Sequence, residues 1–227
     1  MLTGLLFRQG EAGDKSTGEN IFIRRIILSF LLPFLFVSLL WLIKIFESLT
    51  GIELSGLGIK PLSAGGLPGI LAAPFIHEDF RHLFNNSLPL LFLSTMIFYF
   101  YPDAVFRIIF FTWIITGTSV WLAGRMGVHI GSSGLVYGFA SFLFFSGILK
   151  KHLRLIALSL LIVFMYGEMV WGLFPGVGKS ISWESHMLGF ISGILLSIIC
   201  RNKGPQPPVP EWLNNEEEEE RKDSDKL

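Results

Sequence analysis

Six apolar stretches, each near the length of a bilayer's hydrocarbon core, divide the chain between residues 22 and 200. They cover residues 22–46, 83–101, 104–123, 133–149, 153–174 and 185–200. A membrane-spanning helix needs roughly 17–25 mostly apolar residues. The second, fourth and sixth stretches come close to this only with polar or small residues set into them. Composition agrees with the pattern. Of 227 residues, 51% are hydrophobic and 16% are charged, against about 25% charged in soluble domains. So little polar surface cannot face water on all sides. The expectation is an all-α, polytopic membrane protein with six spans.

Charge and cysteine content exclude other classes. Lys and Arg number 18, as do Asp and Glu, so the chain has no basic footprint for nucleic acid. Cys200 stands alone, which leaves no internal disulfide and no cysteine-based zinc site. No cofactor or metal is expected. The polar, glycine-rich start lacks a small-residue cleavage site after its apolar run, so no cleaved signal peptide is expected. The organisation reads as a cytoplasmic N-terminal segment (1–21), a membrane domain (22–201) and a disordered acidic cytoplasmic tail (202–227). The tail is proline-rich over 205–210 and an unbroken glutamate run over 216–220.

Basic residues near the spans set the orientation. With the N-terminus inside, the inner segments hold Arg8, Lys15, Arg24, Arg25, Arg107, Lys150, Lys151, Arg154, Arg201 and Lys203. The outer segments hold Lys44, Lys60, Arg81, Arg125 and Lys179. Both termini are therefore expected in the cytoplasm, and spans two, four and six enter from the outer face. His82, Ser133 and His186 then lie at one depth. The connection over 47–81 is rich in glycine and proline yet apolar, with Leu67, Ile70, Leu71, Phe75 and Ile76. It is expected to pack against the bundle or dip into the interface.

Polar groups inside spans are costly and mark functional sites. Here they gather at the outer starts of three spans. Span four opens Gly131-Ser132-Ser133-Gly134, with Tyr137 and Gly138 following; span six carries His186, Gly189 and Gly193; span two carries His82, Asn85 and Asn86. Ser133 and Tyr137 are one helical turn apart, and His186, Gly189 and Gly193 share a face. Small residues four apart let helix backbones approach closely in a membrane. A short serine side chain can meet a histidine on another helix only at such closeness. Read singly, Gly134/Gly138 and Gly189/Gly193 are packing motifs, and Ser133 bonds its own helix. Read together, a serine and a histidine at matched depth point to nucleophilic catalysis.

In that reading His186 takes the Ser133 proton, Ser133 attacks a peptide carbonyl, and Tyr137 supports the imidazole by stacking. His82 and Asn86, four apart on one face, supply donors to the oxyanion, with the Ser133 backbone N–H and the positive helix N-terminus beside them. Other features are set aside. His77 and His82 are five apart, one too many for the zinc-binding H-E-x-x-H spacing. His129 and His152 read as loop or interface residues, and Arg24 and Arg25 as a cytoplasmic anchor. The tryptophans and phenylalanines read mostly as lipid-facing or belt residues. Glu168, about a turn from the outer end of span five, either reaches the interface or serves a gate or structural role.

These residues resemble the rhomboid family of intramembrane serine proteases. Gly131-Ser132-Ser133-Gly134 with Tyr137 and Gly138 is similar to the family's G-x-S-G-x-x-Y/F-G motif. His186 with Gly189 and Gly193 is similar to H-x-x-G-x-x-x-G, and His77, His82 and Asn86 to H-x-x-x-x-H-x-x-x-N. The likeness runs from about Ile26 to Arg201. It implies a six-helix rhomboid-like bundle with a water-filled cavity open to the outer face. Ser133 would be nucleophile, His186 base, and Asn86 and His82 the oxyanion donors, with Tyr137, Gly131, Gly134 and Gly189 in support. It also implies that the first loop lies partly in the bilayer, that span five and the cap loop over 175–183 gate access, and that the substrates are transmembrane proteins. The Trp-Arg pair that many bacterial members carry in the first loop is absent, so that loop must be anchored otherwise. No seventh span is expected.

The partners implied are the lipid bilayer and membrane-anchored substrates, in a cell (plasma) membrane; the oligomeric state is not legible. Two other classes compete. An inactive rhomboid-like protein would bind membrane clients without cutting them, although such proteins usually lack the serine or the histidine. A small transporter would show mid-membrane charge pairs or internal repeats, and neither is seen.

Overall fold

The computed structural model describes residues 15–165, 168–175 and 182–206. The glutamate run over 216–220 and most of the expected cap loop, residues 176–181, lie outside the described residues. The helices are α1 (Lys15–Thr50), α2 (Gly69–Ala72), α3 (Phe80–Phe100), α4 (Val105–Ala123), α5 (Ser133–Leu149), α6 (Leu153–Met165), α7 (Glu168–Trp171) and α8 (Trp183–Ile199). Among the described residues no strand is present, and one antiparallel bridge joins Ile59 to His129. Asn20–Thr50, Phe80–Phe100 and Val105–Ala123 are long and apolar enough to cross a membrane; Ser133–Leu149 and Trp183–Ile199 are shorter apolar helices. The stretch read as one span over 153–174 comprises α6 and the short α7.

The bundle has an apolar core around Leu40, Leu83, Leu93, Ile108 and Phe142, and its outer surface is apolar as well. Leu42, Phe46, Phe84, Phe106, Leu122, Phe164 and Ile199 are exposed, whereas Ser29, Thr112, Thr116, Ser141, Ser146, Ser192 and Ser197 are buried. Several of the buried hydroxyls return a hydrogen bond to their own helix, as Thr112 does to Ile108 O (2.7 Å) and Ser192 to Gly189 O (2.7 Å). Hydrocarbon outside rewards the first arrangement, and short hydroxyls inside let helices approach.

α5 is the buried axis, and its principal partner is α8. Glycines bring the two together. A Cβ at Gly189 would fall on the Gly134 carbonyl, and one at Gly193 on the Gly138 carbonyl. Ser141 Oγ donates across the seam to Phe190 O (2.8 Å), and Thr116 and Ser192 hydroxyls join α4 to α8 at 3.0 Å. Because backbone rather than a flexible side chain opposes Gly189, overpacking there costs about 1–3 kcal/mol. Gly189→Ala is accordingly expected to lower the unfolding midpoint in detergent. An unchanged midpoint would contradict the backbone contact.

The connection between α1 and α3 packs on the bundle, held by groups other than a Trp-Arg pair. Trp113 Nε1 donates to Ile70 O (2.8 Å), and Trp121 Nε1 to Ser63 O (2.9 Å). Lys44 Nζ donates to the carbonyls of His77 (3.0 Å) and Glu78 (2.9 Å) and to Glu47 Oε2 (2.8 Å). With Trp41 Nε1 donating to Ser87 Oγ (3.0 Å), three tryptophans expected at the lipid surface turn their N–H groups into the protein. An indole N–H needs a partner once away from water, and two loop carbonyls and the Ser87 hydroxyl supply it.

At the opposite end, buried Lys150 donates to the carbonyls of Arg201 (2.7 Å) and Lys203 (2.5 Å). The first residues of the expected tail are thus held to α5. Arg25 Nη2 donates to Tyr99 O (2.9 Å), and His152 meets Phe100 edge-on at 5.6 Å. The N-termini of α3, α5 and α8 share the other end, where the polar residues converge.

Candidate active site

Ser132 holds the N-cap position of α5 without a side-chain capping bond, so Ser133 begins that helix, where free N–H groups and the helix dipole favour negative charge. Gly131 before it has φ +104, open to glycine, and a Cβ there would lie 2.8 Å from the His82 ring and 3.8 Å from Asn86 Nδ2. His82 and Asn86 on α3 thus face the backbone that leads into Ser133. Asp79 fixes the start of α3 by accepting from His82 N–H (2.6 Å). Asn86 Nδ2 is buried and has no hydrogen-bond partner among the described residues. An amide left so costs about 1–3 kcal/mol.

Ser133 Oγ lies 2.9 Å from His186 Nε2. His186 Nδ1 lies 2.9 Å from Gly172 O. A carbonyl can only accept, so that bond places a proton on Nδ1 and leaves the neutral ring's Nε2 lone pair toward the serine hydroxyl. Tyr137 stacks on the imidazole with centroids 4.3 Å apart and planes 14° from parallel. The ring is held in plane by Tyr137 and in tautomer by Gly172. Gly134 and Gly189 let α5 and α8 close to the distance this contact needs. The structure brings together Ser133, His186, Tyr137, Gly131, Gly134, Gly189, His82 and Asn86.

Three contributors to this site were given no role in it from the sequence. Gly172 acts through its backbone, which no side-chain pattern reports. His77 is buried, meets His82 edge-on at 5.2 Å, and places Nε2 3.2 Å from Ser132 Oγ and 3.4 Å from Ser132 N. Burial, with the neighbouring His82 adding to it, pushes its pKa down to about 3, so the ring stays neutral and accepts from the Ser132 N–H. The third is His129. Expected as a loop or interface residue, it is buried, with Nδ1 2.6 Å from Ser182 Oγ and Nε2 2.9 Å from Arg125 O. Ser182 in turn caps α8, and Arg125 pairs with Glu184 at 3.3 Å. The segment before Ser133 is thereby tied to the start of the helix that carries His186. Glu168 opens α7, and its side chain lies outside the described residues.

Residues 65–203 match the family model of the rhomboid domain. Uncharacterized proteins of Mycobacterium bovis and of Mycobacterium tuberculosis are each 33% identical over 175 residues, covering 72% of this chain and 72% of theirs. One of Mycobacterium leprae is 33% identical over 172 residues, covering 72% of this chain and 68% of its own.

Proposed function

Because the chain belongs to the rhomboid family and is an integral membrane protein, we propose that it is an intramembrane serine endopeptidase acting through Ser133 and His186. The observation that carries this reading is the 2.9 Å contact of Ser133 Oγ with a His186 Nε2 whose partner nitrogen is bonded to Gly172 O. His186 Nε2 takes the hydroxyl proton as Ser133 Oγ bonds to the peptide carbonyl carbon. The carbonyl oxygen becomes an oxyanion, met by Asn86 Nδ2, a His82 ring N–H and the Ser133 N–H. Collapse breaks the C–N bond, His186 returns the proton to the leaving amine, and an ester remains on Ser133. Water then attacks that ester, with His186 again taking the proton, and releases the new carboxylate and Ser133.

In this reading α1, α3, α4, α5, α6 with α7, and α8 are six spans with both termini in the cytoplasm, and residues 22–201 form the protease domain. The substrates are transmembrane proteins of the cell (plasma) membrane. A peptide carbonyl inside an intact helix is bonded and shielded, so substrates whose helix unwinds at the site are favoured. The test is purified full-length protein in liposomes with single-span reporters and mass-spectrometric mapping of products. The expected result is one cut in or near the reporter's transmembrane segment. Reporters that bind and are never cut would favour the inactive, client-binding alternative.

A further inference from the structure

α6 packs on α5 near its start and is spaced from it further along. Near its start Gly147 of α5 admits Ile156 and Leu155, with a Cβ at Gly147 falling 2.8 Å from Ile156 Cγ1, and His152 N–H donates to Gly147 O (2.8 Å). Further along, a cavity of about 170 Å³ separates it from α5 and α8, lined by Tyr137, Ala140, Phe145, Val163, Leu173 and Phe190 among others. Past α7 the chain returns inward. Val170, Trp171 and Phe174 are exposed, whereas Gly172 is buried and Leu173 half-buried. At that return the Gly172 carbonyl meets His186 Nδ1 at 2.9 Å.

The acceptor that sets the ring's tautomer therefore sits on the segment spaced from the rest by an apolar cavity. A neutral imidazole with no acceptor at Nδ1 prefers the proton on Nε2. That tautomer presents an N–H to Ser133 and cannot take its proton. We propose that the Gly172 carbonyl is a positioning group that holds His186 in the Nδ1–H tautomer, and that the segment carrying it is a latch. Seated, it arms the base; displaced outward to admit a substrate helix, it disarms the base until it reseats. Cleavage is thereby confined to substrates around which the segment closes. The inference rests on the proposed protease activity and adds a regulation of that same site.

The test replaces single backbone amides by esters in the full-length protein in liposomes, using α-hydroxy analogues of the native side chains. An ester between residues 172 and 173 weakens the Gly172 carbonyl as acceptor and removes the Leu173 N–H bond to Val170 O. The control ester, between 173 and 174, removes the equivalent Phe174 N–H bond to Trp171 O and leaves the Gly172 carbonyl intact. With a single-span reporter, the first is expected to lower kcat about tenfold, as loss of a hydrogen bond of this kind does, with KM unchanged. The control is expected to lower it far less. Ring ¹⁵N spectra, with His186 assigned by its loss in His186→Asn, are expected to show the Nδ1–H form in the native chain and Nε2–H gain in the first ester.

Equal losses from both esters, an unmoved kcat, or a native ring protonated on Nε2 would overturn the proposal. The ring spectrum needs no turnover. A chain that cuts no reporter yet shows the Nδ1–H form, shifted by the first ester alone, would keep the latch and reject the protease reading.

Discussion

Ser133→Ala is expected to lower reporter cleavage by at least about 10³-fold, and His186→Ala to lower it comparably, because a nucleophile and its base act as one unit. The double variant is expected to be no worse than either single one. Once the proton acceptor is gone, the hydroxyl remaining at Ser133 is a poor nucleophile. Folding should survive the serine change, since one hydroxyl is removed from half-buried Ser133 while the glycine seam with α8 is untouched. His186→Ala also removes the ring stacked on Tyr137, so its helicity and unfolding midpoint are to be measured beside its activity. Multiplying losses in the double variant would contradict a shared proton transfer. Cleavage that survives Ser133→Ala would reject the nucleophile itself.

The second large effect is at Asn86. Its amide nitrogen is buried without a partner among the described residues, a condition that destabilises the resting fold by about 1–3 kcal/mol. In the proposed mechanism an oxyanion completes it. Removing one such donor costs about 10²–10³ in kcat in a serine protease, and the same loss is expected for Asn86→Leu, which keeps the branched shape of the side chain. The stability of Asn86→Leu is expected to be unchanged or higher, since an unsatisfied polar group is replaced by an apolar one. Kinetics in liposomes and thermal unfolding read the two effects separately. A variant that loses activity and stability together would make Asn86 a structural residue.

The match of Ser133 with His186 was legible because it rests on counting. Alternate spans begin at one end, glycines recur every four residues, and a serine and a histidine fall at matching depth. The inward use of Trp113 and Trp121 was not. In a helix apolar all round, hydropathy has no period that separates a lipid-facing indole from one bonded to a loop carbonyl. His77 could be placed in a motif but not given a role, because its position depends on how a long loop folds back. That fold is set by Lys44, the tryptophans and the Ile59–His129 bridge. Gly172 was the least legible, since every residue has a carbonyl and only the structure shows which one meets the imidazole.

The most direct test of the central claim is labelling of the full-length protein in liposomes with a fluorophosphonate, with the adduct located by peptide mass spectrometry. Such a probe phosphonylates a serine oxygen made nucleophilic by a neighbouring base. The account predicts an adduct on Ser133 in the native chain, and none in His186→Ala, where Ser133 is still present. An adduct on another serine, or equal labelling of Ser133 with and without His186, would contradict it.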